Sequence, residues 1–126
     1  MNWLNTTKTR SGKMKVKRII SFGVKYGGPN SANARVIDVR GLFPKNPYHN
    51  KKLRYLRGTD IAVQEDIAKT PHFKKGLAKL VERVSASPYE IVYLGCTGGH
   101  HRSVYLSILV GDILGIPVVH RDIGRK

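Results

Sequence analysis

One stretch constrains the fold of this chain more than any other. YEIVYLG (89–95) is rich in β-branched and aromatic residues and reads as a strand. RSVYLSILVGDILG (102–115) carries Val104, Ile108, Leu109 and Ile113 among the buried positions of a helix. Between them lies a short loop, CTGGHH, and after them IPVVHRD (116–122) reads as a further strand. Strand, glycine-bearing loop, helix and strand in direct succession make a parallel crossover unit.

The rest of the chain agrees. KVKRIISFGV (15–24) and RVIDVRGL (35–42) read as strands, the second with Val36, Ile37 and Val39 in the core. The turn formers of KYGGPNSANA separate them. FPKNPYHNKKLRYLRG (43–58), with two prolines and many charges, reads as a long surface loop. TDIAVQEDI (59–67) suits a short helix. TPHFKKGLAKLVERVSAS (70–87) predicts a longer one, with Thr70 as N-cap and Pro71 as first helical residue. Its Phe73, Leu77, Leu80, Val81 and Val84 share one stripe.

The expected architecture is therefore α/β. A single domain over 15–126 holds a mostly parallel sheet of four strands, or slightly more, flanked by helices. Residues 1–14 read as a flexible basic arm. A length of 126 residues fits one such domain.

Charge narrows the partners. Lys and Arg number 23 against 8 Asp and Glu, a formal net charge of +15. An imbalance of that size repels itself and suits a polyanion, most simply nucleic acid. The basic residues cluster in three places: Lys13, Lys15, Lys17 and Arg18 near the start, Lys45, Lys51, Lys52, Arg54 and Arg57 in the long loop, and Arg121, Arg125 and Lys126 at the end. No acidic residue precedes Asp38.

A single cysteine forms no internal disulfide and favours a reducing compartment. The N-terminal residues lack the long apolar stretch of a secretory signal. The run from Val104 to Ile116 is interrupted by Ser107, Gly111, Asp112 and Gly115 and is too short to span a bilayer. The expected location is the cytoplasm, with no membrane partner.

In open parallel sheets, ligands sit beyond the carboxyl ends of the strands, where LGCTGGHHRSV lies. Gly98 and Gly99 permit a tight turn with exposed backbone N–H groups, and the following helix adds its N-terminal dipole. Arg102 holds two oxygens of an anion at once. Thr97 and Ser103 add hydroxyls, and His100 and His101 add ring donors that charge when an anion raises their pKa. The loop is read as a site for phosphate, sulfate or a sugar phosphate.

The same segment admits two other chemistries. Cys96 followed by five residues and Arg102 matches the spacing of the phosphate loop in cysteine-dependent phosphatases, where the thiolate attacks phosphorus. Gly95 replaces the histidine that usually precedes that nucleophile, and no general acid is identifiable. Cys96 is better read as a small buried residue at a strand end. A zinc site on Cys96, His100 and His101 is disfavoured, since adjacent histidines on a turn rarely converge. No metal or other cofactor is expected, and no nucleoside-triphosphate loop of the G-x-x-x-x-G-K-[ST] kind occurs.

Four motifs in order, SFGVKYG (21–27), DVRGLFPKNPY (38–48), LRYLRGTD (53–60) and GCTGGHHRSV (95–104), resemble the C-terminal domain of the RapZ family of RNase adapter proteins. The resemblance runs from about Ile19 to Arg125. It implies an α/β domain that binds RNA through basic surfaces and holds an anion, glucosamine-6-phosphate in that family. By position, the pocket would comprise Thr97, Gly98, Gly99, His101 and Arg102, with Lys25 as a further anion contact. Asp38, Arg40 and Asn46 would shape the same cleft. His100 departs from the family, which usually has Lys or Gln there. The family's N-terminal nucleotide-binding domain has no counterpart in the matched part. An RNase partner and a homodimer or higher oligomer follow as expectations from the resemblance alone.

Overall fold

The computed structural model describes residues 14–125. Four strands, β1 (Arg18–Gly23), β2 (Ala34–Asp38), β3 (Ile91–Cys96) and β4 (Val118–His120), form one parallel sheet in the order β2-β3-β1-β4. Three helices accompany them: α1 (Ile61–Ala68), α2 (Phe73–Ser85) and α3 (Arg102–Leu114). The α/β class and the parallel four-stranded sheet flanked by helices are as the periodicity predicted.

Strand order explains where the helices go. The connection β2–α1–α2–β3 and the connection β3–α3–β4 both step the same way across the sheet. Right-handed crossovers in one direction place their helices on one face. One core results: Ile19, Ile37, Val92 and Leu94 of the sheet meet Leu80, Val81 and Val84 of α2 and Leu106 and Val110 of α3. All of these are fully buried, and each such side chain contributes roughly 1.5–3 kcal/mol.

The β1-to-β2 connection steps the other way, and its only helical segment is the single 3-10 turn Val24–Tyr26. The opposite face of the sheet is therefore partly open. Val36 is 37% exposed and Val119 49%, with half-buried Tyr93 and Ile20 between them in the same register row. This corrects the placement of Val36 in the core. The pleat puts it on the face opposite Ile37.

Two boundaries differ from the sequence reading. Helix α2 starts at Phe73, because His72 adopts a left-handed conformation (φ 59°) that no helix includes. Thr70 does not cap it: the Thr70 hydroxyl is buried without a partner, and its carbonyl accepts the Phe73 N–H. Phe73 is instead packed between Phe43 (5.5 Å) and Tyr105 (6.4 Å), which fixes where the helix begins. Strand β2 stops at Asp38, whose carboxylate accepts the Arg40 N–H at 3.0 Å and turns the chain. In the long loop, Pro47–His49 forms a 3-10 turn that Asn46 caps by accepting the Tyr48 N–H.

The basic arm, including Lys13, falls mostly outside the described residues, as does Lys126. Met14 packs against the main core.

Candidate anion-binding site

The reversal of crossover direction opens a crevice between the carboxyl ends of β1 and β3, the point where ligands sit in sheets of this kind. Gly23, the last residue of β1, lies beside Cys96, the last of β3. From there Lys25 leaves on one side and the loop from Thr97 to His101 on the other, joined by the Lys25 N–H to Thr97 carbonyl bond (3.1 Å).

The loop is held tightly from behind. Gly99 has φ +73°, and a Cβ there would lie 2.5 Å from the Gly23 nitrogen. A Cβ on Gly23 would in turn meet the Gly98 carbonyl carbon at 2.4 Å. The Gly58 N–H donates to the His100 carbonyl at 2.7 Å, and a Cβ on Gly58 would strike the His101 carbonyl oxygen. Asp122, fully buried, accepts the Gly23 N–H at 2.8 Å and pairs with Arg121 and Arg125. Gly98 differs from Gly99: its φ is not in the left-handed region, and a Cβ there has only ordinary contacts.

In front of the loop is a cavity of about 430 Å³. Its wall includes Lys25, Arg54, Arg57, His100, His101 and Arg102, together with Thr97, Gly98 and Cys96. Asn46, Tyr48 and Tyr55 complete it. No carboxylate is among these lining residues. Four permanent cations and two imidazoles thus surround one space without a compensating anion.

Nε2 of His100, Nε2 of His101 and Nε of Arg102 are closed to solvent and make no hydrogen bond of good geometry, although the backbone of Asp122 and Arg125 stands near the His100 ring and that of Arg54 and Leu56 near the His101 ring. A buried N–H left unpaired costs about 1–3 kcal/mol, so such atoms are expected to find an acceptor. Arg102 is 4% exposed and His101 6%. The Arg102 Nη1 donates to the Phe43 carbonyl at 3.1 Å, which anchors the guanidinium and leaves Nε unmatched. No side chain caps α3, so the first-turn N–H groups also face this end.

Burial lowers the pKa of both histidines below the ordinary 6.5. Arg57 and Lys25 push His100 the same way, and His100 pushes His101. Both rings are therefore neutral near pH 7 when the cavity holds no anion. Burial also works against the charge on Arg102, offset in part by Cys96.

The sequence-predicted residues divide as follows. Lys25, Thr97, Gly98, His100, His101 and Arg102 meet at the cavity, joined by Asn46, Arg54 and Arg57. Gly99 and Ser103 lie behind it. Ser103 is fully buried and accepts the Cys96 S–H at 3.2 Å. Arg40 sits at the edge, donating to Thr97 Oγ1 at 3.3 Å, and Asp38 grips Arg40 through a 2.6 Å ion pair. That pairing holds the Asp38 carboxyl below its ordinary pKa.

The basic residues separate by location. Lys15 and Lys17 line a second hollow with Glu90, and Arg18 opens β1 at the same, amino end of the sheet. Lys17 pairs with Glu90 there (3.7 Å). Lys45 pairs with Asp66, while Lys51 and Lys52 are exposed beside the cavity's loop segment. Arg121 and Arg125 are tied to Asp122, and each also lies over an aromatic ring, Phe22 and Tyr26 respectively.

The sequence reading missed Tyr48, Tyr55 and Asp122. Aromatic residues interleaved with basic ones over 45–57 were the available signal for the first two. Nothing local marks Asp122, whose role depends on a contact 99 residues away. Among the described residues, no group of three His, Cys, Asp or Glu side chains is placed to hold a metal ion. No described helix is long and apolar enough to cross a membrane.

Known proteins share much of this sequence. The sequence model of the RapZ C-terminal domain matches residues 14–124. A protein of Sorangium cellulosum named a nucleotide-binding protein is 40% identical, over 86% of this chain and 34% of its own length. One of Pseudothermotoga lettingae with the same name is 38% identical, over 87% of this chain and 43% of its own length. One of Pseudomonas fluorescens is 40% identical, over 82% and 40% respectively. The chain thus spans about two fifths of the length of these relatives.

Proposed function

The chain belongs to the RapZ C-terminal domain family, and from that premise we propose that it is a non-catalytic, RNA-binding regulatory domain acting in the cytoplasm. Its cavity takes a phosphate group, carried by RNA or by a sugar phosphate such as glucosamine-6-phosphate. One observation carries the reading. Lys25, Arg54, Arg57 and Arg102 meet His100 and His101 on the wall of one cavity, and no carboxylate lines it. A tetrahedral oxyanion supplies the negative charge that this surrounding potential favours.

Phosphate contacts then supply most of the affinity for RNA, and binding falls steeply as salt rises. The exposed Lys51 and Lys52 extend the positive surface from the cavity along the loop. An RNase and a second copy of the chain are the further partners under this reading. Calorimetric titration with inorganic phosphate and with glucosamine-6-phosphate tests the pocket, and filter binding of structured RNA at two salt concentrations tests the surface. Absence of phosphate binding, together with salt-insensitive RNA binding, would refute the proposal.

The Cys96–Ser103 contact favours a second reading. Cys96 ends β3, lines the cavity and donates to the hydroxyl of Ser103, while Arg102 opens α3. This is the layout of a cysteine-dependent phosphatase loop. Hydrolysis of an aryl phosphate that disappears in Cys96→Ser would establish it.

A further inference from the structure

The cavity is larger and more aromatic than a phosphate requires. At about 430 Å³ it falls within the range of sites for whole small molecules. Two tyrosines line it while standing largely in solvent: Tyr55 is 80% exposed and Tyr48 52%. Tyr55 presents a largely free ring beside the cradle, and Tyr48 a half-free one, surfaces that suit a flat partner. Tyr48 is braced. The Arg54 guanidinium lies 4.7 Å from its ring centroid, and Arg54 Nε donates to the Tyr48 carbonyl at 2.9 Å.

We infer that the cavity seats one unpaired nucleotide of an RNA strand, its phosphate on the loop from Thr97 to Arg102 and its base stacked on Tyr55 and Tyr48. This rests on the RNA reading above and adds what the site distinguishes. Bases in a duplex are stacked on one another and present only edges and backbone, whereas an unpaired base offers a face to an aromatic ring. Every base has such a face, so the site selects single strands and is tolerant of sequence. Arg54 and Arg57, on the same wall, neutralise neighbouring phosphates of the strand.

Fluorescence anisotropy of a labelled single-stranded RNA octamer tests this. The octamer is compared with its own duplex and with an octamer of abasic ribose-phosphate units. Tyr55→Ala and Tyr48→Ala are expected to weaken single-strand binding, each by about 5- to 150-fold, the range for loss of one base–aromatic stack. Tyr55→Phe, which keeps the ring, is expected to bind like the parent. The abasic octamer is expected to bind weakly and to be indifferent to Tyr55→Ala. Tyr55 is too exposed for its replacement to unfold the domain.

Equal binding of single strand and duplex, or full affinity in both alanine variants, overturns the inference. If in that case phosphate still binds and RNA affinity still falls with salt, the phosphate-site reading survives alone. If the parent chain binds neither phosphate nor RNA, both fall together.

Discussion

The α-carbon of Gly99 sits against the backbone nitrogen of Gly23, so close that a Cβ on Gly99 would come within 2.5 Å of it. One residue ends β1 and the other lies in the loop after β3. Their contact closes the back of the cavity and sets the direction in which Thr97, His100 and His101 face. Because Gly99 is also at φ +73°, space and backbone conformation both demand glycine there.

Gly99→Ala is expected to destabilise the domain by about 2–4 kcal/mol, combining left-handed strain with a backbone clash. Gly98→Ala, whose Cβ would find its nearest neighbours at 3.7 and 3.9 Å, is expected to stay within about 0.5 kcal/mol. Urea denaturation of both variants checks the contrast. Equal midpoints would refute it.

Asp122→Ala is expected to cost about 2–4 kcal/mol, since it strips the acceptor from the Gly23 N–H and the partner from Arg121 and Arg125. Burial raises the pKa of this carboxyl, but the bonds from Arg121, Gly23 and Arg125 together leave it below the ordinary 3.8. A lowered carboxyl pKa means the unfolded chain binds protons first. The stability Asp122 supplies is thus present above about pH 5 and lost as pH falls through 3.8 and below. Urea midpoints of parent and variant should converge as pH is lowered below 3.8.

Protonation links the histidines to the ligand with one sign and to folding with the other. A bound phosphate favours charged imidazolium, so binding takes up protons, and affinity is expected to rise several-fold from pH 7.5 to 5.5. Without ligand, burial disfavours the charged rings of His100 and His101, and the unfolded chain binds protons more readily. Stability of the ligand-free domain is expected to fall as pH drops through 6.5. RNA titrations across this range, in which each phosphodiester keeps its single charge, check the first trend, and His101→Gln should flatten it.

Lys25→Ala removes one exposed cation from the cavity wall without touching the core. The slope of log affinity against log salt for RNA is expected to shrink in magnitude by about 1. Glucosamine-6-phosphate added to the complex is expected to release RNA, because one loop serves both phosphates. Retention of RNA at saturating sugar phosphate would show separate sites.

Much of the molecule is legible in one dimension. Apolar periodicity marks four strands and three helices, and α3 falls within one residue of the predicted 102–115. The glycines, hydroxyls and basic side chains of 96–103 mark the candidate loop, because strand, turn and helix N-terminus are local structures built by neighbouring residues. What the linear pattern left open was which distant cations join that loop. Lys25, Arg54 and Arg57 come to the cavity, while Lys15, Lys17 and Arg18 lie at the opposite end of the sheet. Strand order decided this, and with it the single helical face, the exposure of Val36 and the placement of Asp122 beneath Gly23. Those outcomes depend on which strands pair across dozens of residues, a choice made by the whole packed core and carried by no short segment of the chain.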